Sequence, residues 1–159
     1  MGKEIERKFL VKNAGWRTDN GAHYRQGYLC IDKERTVRVR TVHDRASGEQ
    51  HGYLTIKGKS VGASHAEYEY EIPILEAHEL LDHLCQRPLI EKIRHRIAQG
   101  AVTWEIDEFL GENAGLVVAE VELTAVDQQF EKPVWLGQEV TDDSRYFNSS
   151  LVTYPFTQW

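Results

Sequence analysis

Apolar and polar residues alternate with period two along most of the chain, the signature of strands with one face in a core. The alternation predicts strands near residues 3–12, 22–31, 35–42, 51–58, 66–74, 89–98, 101–110 and 116–124. Between them lie turn-like stretches such as Asn13-Ala14-Gly15, Asp19-Asn20-Gly21, Ala46-Ser47-Gly48 and Gln99-Gly100. Links this short favour antiparallel neighbours. Helical spacing appears over residues 75–86, where Leu80, Leu81 and Leu84 form one apolar stripe, and Pro88 closes that segment. A shorter helical piece is expected after Val126, and one more helical turn or loop after Asp142. Eight consecutive strands leave exposed edges, which closure into a barrel removes. The predicted fold is therefore mainly β (α+β): a closed eight-stranded antiparallel β-barrel with a few peripheral helices. A sandwich is the structural alternative.

The polar faces carry charge, and the charges are sorted by strand. Glu4, Glu6 and Lys8 share one face of the first strand, spaced about 7 Å apart, with Ile5 and Phe9 opposite. Arg38 and Arg40 stand against valines, Lys57 follows Thr55, and Lys92, Arg94 and Arg96 oppose Ile93 and Ile97. Glu67, Glu69 and Glu71 are backed by Tyr68, Tyr70 and Ile72. Glu105 and Asp107 oppose Trp104 and Ile106, and Glu120 and Glu122 oppose Ala119, Val121 and Leu123.

Any one such strand is most simply an antiparallel strand wetting its polar face. A wetted sheet, however, mixes signs and includes Ser, Thr and Gln, whereas here the Arg-x-Arg and Lys-x-Arg strands are separate from the Glu-x-Glu strands. With its charged faces inward, a closed barrel becomes a polar tunnel of both signs. Basic side chains suit phosphate oxygens. Carboxylates alone would repel them by about 4 kcal/mol per unit-charge pair at about 4 Å and an effective dielectric of about 20. A divalent cation between carboxylate and phosphate reverses that sign, and magnesium typically binds through a few carboxylates plus substrate phosphates.

Composition narrows the setting. At 159 residues the chain is most simply one domain spanning 1–159, long enough to bury a core. Its 25 acidic against 19 basic residues argue against nucleic acid as a partner. Cys30 and Cys85 are too few and too far apart for a disulfide scaffold or a zinc site and read as reduced thiols. No apolar run reaches the length of a membrane span, and the N-terminus lacks a signal-peptide core. The expected setting is cytoplasmic, with no membrane partner. Met1-Gly2 is similar to an acylation start, but position 6 is Glu where Ser or Thr is needed.

Two motif matches fail on spacing. Gly52 through Ser60 is similar to a phosphate-binding loop, but five residues separate its glycines and the strand signal runs through them. His78 and His83 lie five apart on a helical segment, too far round for the two histidines of a zinc-protease motif. The remaining histidines are assigned no role.

The ordered set Glu4-x-Glu6-x-Lys8, Tyr24-Arg25-Gln26-Gly27-Tyr28-Leu29, Thr36-Val37-Arg38-Val39-Arg40, Lys57, Glu69-x-Glu71, Lys92-x-Arg94, Glu120-x-Glu122 and Asp143-Ser144-Arg145-Tyr146-Phe147-Asn148 resembles the CYTH superfamily. These are the triphosphate tunnel metalloenzymes, and the likeness is to their short single-domain bacterial members. It implies an antiparallel eight-strand tunnel and metal-dependent chemistry on a small-molecule triphosphate. The resemblance implies Glu4, Glu6, Glu120 and Glu122 as the main metal-binding carboxylates, with Glu69 and Glu71 assisting and Asp107 as a looser acidic match. It implies Arg38, Arg40, Lys57, Lys92, Arg94 and Arg145 as phosphate holders. Arg96 and Glu67 extend the same faces but match less clearly and are left out.

The expected activity is hydrolysis of inorganic tripolyphosphate to diphosphate and phosphate with Mg²⁺ or Mn²⁺, one ion orienting the substrate and a second activating water. The basic residues would carry much of the rate, since phosphoryl transfer rests on positioning and electrostatic stabilisation. Lys8 has two readings. As a general base paired with Tyr28 it needs a neutral amine, which Glu4 and Glu6 oppose; as a clamp it stays charged. The alternatives are a class IV-type adenylate cyclase, a thiamine or nucleoside triphosphatase, and a non-catalytic polyphosphate- or nucleotide-binding module. A sheet with a solvated charged face and an unrelated function is the blandest choice. Oligomeric state is open, a homodimer included.

Overall fold

A computed structural model of the chain describes residues 3–59 and 61–159. Met1 and Gly2, where the acylation reading falls, and Ser60, the last residue of the glycine-flanked stretch, lie outside the described residues. All eight predicted strands are present: β1 (Lys3–Val11), β2 (Ala22–Ile31), β3 (Arg35–His43), β4 (Gln50–Gly58), β5 (Ser64–Ile72), β6 (Ile90–Gln99), β7 (Val102–Phe109) and β8 (Val117–Leu123). They pair antiparallel in the order β5-β4-β3-β2-β6-β7-β8-β1. Strand β1 then returns to β5 through Lys3↔Ala66, Glu4↔His65 and Ile5↔Ser64, which closes the barrel. That seam is short because a ninth strand, β9 (Leu136–Glu139), takes the same edge of β1 further along, at Phe9 and Val11.

The outward faces bury themselves under two covers. Helix α1 (Ile74–His83) lies against β3 and β4, where Ala77, Leu81 and Cys85 pack with Val39. Gly27 and Gly52 permit that approach. A Cβ at Gly27 would stand 2.7 Å from Leu89 Cδ2 and 2.8 Å from Cys85 Cβ, and one at Gly52 2.7 Å from Ala77 Cβ. Leu84, expected in the apolar stripe, falls beyond the helix end and is exposed.

The second cover shields β1, β7 and β8, where Phe9, Trp104, Ile106, Ala119 and Val121 pack under Trp16, Trp135, Leu136 and Phe130. The helix expected after Val126 is absent here: residues 124–135 are turns and irregular chain. Phe130 and Trp135 reach Trp104 edge-on at 5.6 and 5.5 Å from separate loop positions, so aromatic packing sets this segment's path. Pro133 removes one backbone donor that a helix would use.

One end of the barrel is filled. Tyr28, Ile90, Phe109 and Val118 continue the inward parity of β2, β6, β7 and β8 and pack against Tyr146, Leu151 and Val152. The inner face, read from the sequence as the wall of a polar tunnel, is apolar at this end. Helix α2 (Asn148–Thr153) supplies two of those residues, and its first residue brings an amide to the cavity wall. Among the described residues, no helix is long and apolar enough to cross a membrane.

Candidate active site

Around the closed barrel, β7, β8, β1 and β5 are contiguous, and so are β4, β3, β2 and β6. The first group carries Glu105, Asp107, Glu120, Glu122, Glu4, Glu6 and Glu67. The second carries Lys57, Arg38, Arg40, Lys92 and Arg94. Sorting of sign by strand thus becomes an acidic arc facing a basic arc. A cavity of about 570 Å³ lies between them, with eight Lys and Arg against six Asp and Glu in its wall. It is net positive inside a chain of net charge −6.

Register builds the acidic arc. Lys8 pairs with Glu120 and Glu6 with Glu122 across β1 and β8, while Glu4 faces His65 across the seam. The Lys8 amine is bonded to Glu120 and lies 3.5 Å from Glu6. Burial alone would lower its pKa, but Glu120 and Glu6 override burial and hold it well above the ordinary lysine value. Burial also opposes ionisation of Glu6, yet Lys8, Lys57 and His65 pull its carboxyl down to about 2. Glu4 accepts from His65 Nε2 at 2.7 Å and lies 3.8 Å from Lys57. Burial and Glu4 raise Glu67, and burial together with Glu4, Glu105 and Glu6 raises Glu122. More carboxylates converge here than the local cations neutralise.

The basic arc is organised by one carboxylate. Asp107 receives Arg94 Nε at 2.7 Å and Nη2 at 2.9 Å, and Lys92 Nζ lies 2.7 Å away. Burial opposes ionisation of Asp107, but Arg94 and Lys92 hold its pKa far below the usual carboxylate range. Burial, followed by Arg94 and Arg40, pushes Lys92 down to about 7 against the pull of Asp107. Asp107 is the more firmly charged member, since Arg94 chelates it whatever the state of Lys92. Asn148 Oδ1 accepts from both Lys92 and Gln26, each at 2.9 Å.

Arg38 and Arg40 are less satisfied. Arg38 donates to Thr55 at 3.2 Å and reaches Glu69 at 3.5 Å, but its buried Nε has no partner among the described residues. Arg40 donates to Gln26 Oε1 at 3.1 Å and, among the described residues, has no carboxylate within ion-pair distance. Burial, then Arg38 and Arg94, pulls it down to about 10. The Tyr24 ring supports this group, with the Arg40 and Arg94 guanidinium carbons 4.9 and 4.8 Å from its centroid.

Glu4, Glu6, Lys8, Tyr28, Arg38, Arg40, Lys57, Lys92, Arg94 and Glu120 all line the cavity. Among the described residues, no hydrogen bond joins Lys8 to Tyr28. Asp107 stands behind the wall with both oxygens committed to Arg94 and Lys92, and Glu122 faces the acidic group from an exposed position. Glu69 and Glu71 do not reach the cavity; Thr55 holds the first at 2.8 Å and His51 the second at 2.9 Å. Arg145 turns away as well. Asp143 caps the single 3₁₀ turn that carries it and pairs with its guanidinium at 2.8 Å, over the Trp159 ring.

Sequence reasoning gave no site role to Glu67, His65, Tyr24 or Asn148, although Tyr24 and Asn148 lie in stretches that carry the resemblance and Glu67 extends a charged face. The first three share the inward parity of their strands, and His65 precedes the predicted start of its strand at 66. Asn148 lies outside the strands, where parity gives no orientation.

A closed barrel with facing acidic and basic arcs defines an enclosure built for a metal together with an anion. The chain belongs to the CYTH family: the CYTH domain matches residues 2–153, and this metalloenzyme family implies a divalent metal. The chain is 52% identical over 157 residues to the inorganic triphosphatase of Acetivibrio thermocellus, covering 98% of this chain and 97% of that protein. It is 34% identical over 152 residues to the inorganic triphosphatase of Nitrosomonas europaea, covering 93% and 95%. A crystal structure of an inorganic triphosphatase superposes with a TM-score of 0.63 at 32% identity, covering 94% of this chain and 93% of that one.

Proposed function

We propose that the chain hydrolyses inorganic triphosphate to diphosphate and phosphate inside the barrel, with Mg²⁺ or Mn²⁺ on the acidic arc. The observation that carries this reading is the pair Arg38 and Arg40. Both line the cavity, and among the described residues one has a buried Nε without a partner and the other no carboxylate within ion-pair distance. Guanidiniums left in that state favour phosphate oxygens, which they bind through two parallel hydrogen bonds.

The donor set fits a hard divalent ion. Glu4, Glu6 and Glu120 would hold it, with Glu67 and Glu122 close by, their pKa values raised by burial and then by the neighbouring carboxylates. When bound, such an ion offsets phosphate charge and makes an attached water more acidic. The chain's own residues position the rest. Arg38, Arg40, Lys57, Lys92 and Arg94 hold the phosphoryl oxygens, and Asp107 and Tyr24 fix the guanidiniums from behind. Lys8, ion-paired to Glu120 and Glu6, stays charged and would act as a clamp on phosphate oxygens, not as a base.

The wall supports the inorganic substrate over a nucleotide. Among the described residues, Tyr28 and Phe147 are the only ones besides His65 that bring aromatic rings to it, which leaves little stacking surface for a base. The free thiols Cys30 and Cys85 support a cytoplasmic setting. The test is to incubate the protein with tripolyphosphate, ATP and thiamine triphosphate, with Mg²⁺, Mn²⁺ or chelator, and to identify the products. Metal-dependent diphosphate and phosphate from tripolyphosphate is the expected result. Absence of phosphate release from all three would sink the hydrolase reading, and cyclic AMP from ATP would move it to a cyclase.

A further inference from the structure

We infer that His65 is a third protein ligand of the metal held by Glu4 and Glu6, which gives that position a mixed nitrogen and oxygen donor set. This rests on the metal-dependent reading above. Barrel closure creates the arrangement. Glu4 and His65 are Cα partners across the β1–β5 seam, and residues directly opposite on an antiparallel pair turn their side chains to the same face. The imidazole is buried, with 6% of its side chain exposed, and its Nε2 lies 2.7 Å from Glu4 Oε1. One ligand atom from each of Glu4, Glu6 and His65 lies within 4.8 Å of the other two. Ligands about 2.1 Å from one ion stand about 3.0 Å apart when adjacent and about 4.2 Å apart when opposite. With the imidazole proton carried on Nδ1 in place of Nε2, the three atoms need little movement to share an ion.

The competing role is that His65 only hydrogen-bonds Glu4 and orients it, as groups behind a ligand do. The two roles differ in chemistry. Carboxylates alone suit Mg²⁺, Ca²⁺ and Mn²⁺, whereas an imidazole in the set favours Mn²⁺ and later first-row ions over Mg²⁺. A direct nitrogen ligand is also visible in the spectrum of the bound ion. Of the seven histidines in the chain, His65 is the one found in the cavity wall, so an imidazole signal from a cavity metal has one assignment.

The experiment loads the whole protein with Mn²⁺ alone and records electron spin-echo modulation, beside Mn²⁺ and Mg²⁺ titrations of wild type and His65→Gln. The expected result is a ¹⁴N coupling of directly bound imidazole strength in wild type, lost in the variant. Mn²⁺ affinity should fall about ten-fold or more, and Mg²⁺ affinity less. Bound Mn²⁺ without that coupling in wild type, or an unchanged coupling in the variant, overturns the assignment of His65 alone. Failure to bind Mn²⁺ at all overturns the metal-dependent reading and this inference with it. The wild-type spectrum decides the question even where the variant folds poorly.

Discussion

Replacing Asp107 with Asn tests whether one internal carboxylate holds the basic arc together. Asn keeps the volume and one acceptor but removes the charge. Asp107 is 2% exposed, and its oxygens meet Arg94 at 2.7 and 2.9 Å and Lys92 at 2.7 Å. Removing one member of a buried ion pair costs about 3–5 kcal/mol, because the remaining charge is left uncompensated; here Lys92 loses its carboxylate and, among the described residues, Arg94 keeps only Glu105 at 3.2 Å and Glu120 at 3.6 Å. Whole domains are stable by only about 5–15 kcal/mol. At about 2–4 °C per kcal/mol for this size, the melting temperature should fall by about 6–20 °C.

The pH dependence of that loss follows from the lowered folded-state pKa of Asp107. Its stabilising contribution is complete above the unfolded carboxyl value of about 3.9 and is lost as pH falls through the folded value. The gap between wild type and Asp107→Asn should therefore be widest near neutrality and narrow below about pH 4. Circular-dichroism melts of both proteins in chelator, from neutral pH downward, measure it. A loss under about 3 °C at pH 7, or a gap that stays constant into acid, would refute the reasoning.

Arg40→Met removes a half-buried cation that has, among the described residues, no carboxylate partner, so without ligand the variant should melt at or above the wild-type temperature. Its tripolyphosphate affinity should fall about 100-fold or more in calorimetric titration, at about 1.5–3 kcal/mol for each of two charge-assisted hydrogen bonds. A destabilised variant with intact affinity would contradict the unpaired-cation account. For Glu6→Gln, the thermal shift induced by Mn²⁺ should vanish and metal-dependent phosphate release drop at least about ten-fold; an undiminished shift would remove Glu6 from the metal site. Gly27→Val drives a side chain into Cys85 and Leu89 and should cost about 1–3 kcal/mol in a urea midpoint. Phosphate release per folded molecule should be retained, and a neutral result would mean that α1 yields freely.

The alternation that predicts the strands also predicts which side chains face the cavity, because strand parity is local. Arg38, Lys92, Glu4 and Glu120 needed nothing more. What parity leaves unstated is which strands are neighbours, and the misses trace to that. His65 and Glu4 are 61 residues apart and meet only through a seam three residue pairs long. Asp107 reads as one more metal carboxylate until β6 lies beside β7 and gives it to Arg94 and Lys92. Glu69 and Glu71 have the right parity but lie past the seam, where β5 has left β1. Arg145 and the stretch after Val126 lie outside the strands, and local capping or aromatic packing decides them.

Strand order also explains how so many charges coexist unpaired. In simple up-and-down order the acidic β5 would stand between β4 and β6, splitting the basic strands and pairing off their cations. The observed order places β6 beside β2 and β5 beside β1, with α1 running over the outside between β5 and β6. That single rearrangement makes the arcs continuous: β7-β8-β1-β5 acidic, β4-β3-β2-β6 basic. The charges that break the sorting are the ones most tightly paired, Lys8 with Glu120 within the acidic arc and Asp107 with Arg94 and Lys92 where the arcs meet. Arg40 on one side, beside an Arg38 that meets Glu69 only at 3.5 Å, and the crowded glutamates on the other retain charge that the fold leaves incompletely neutralised. Neither a metal nor a phosphate chain alone offsets both excesses, since each would meet a like-charged wall. A divalent ion bound to a triphosphate presents a cation to one arc and anions to the other, and so satisfies both at once.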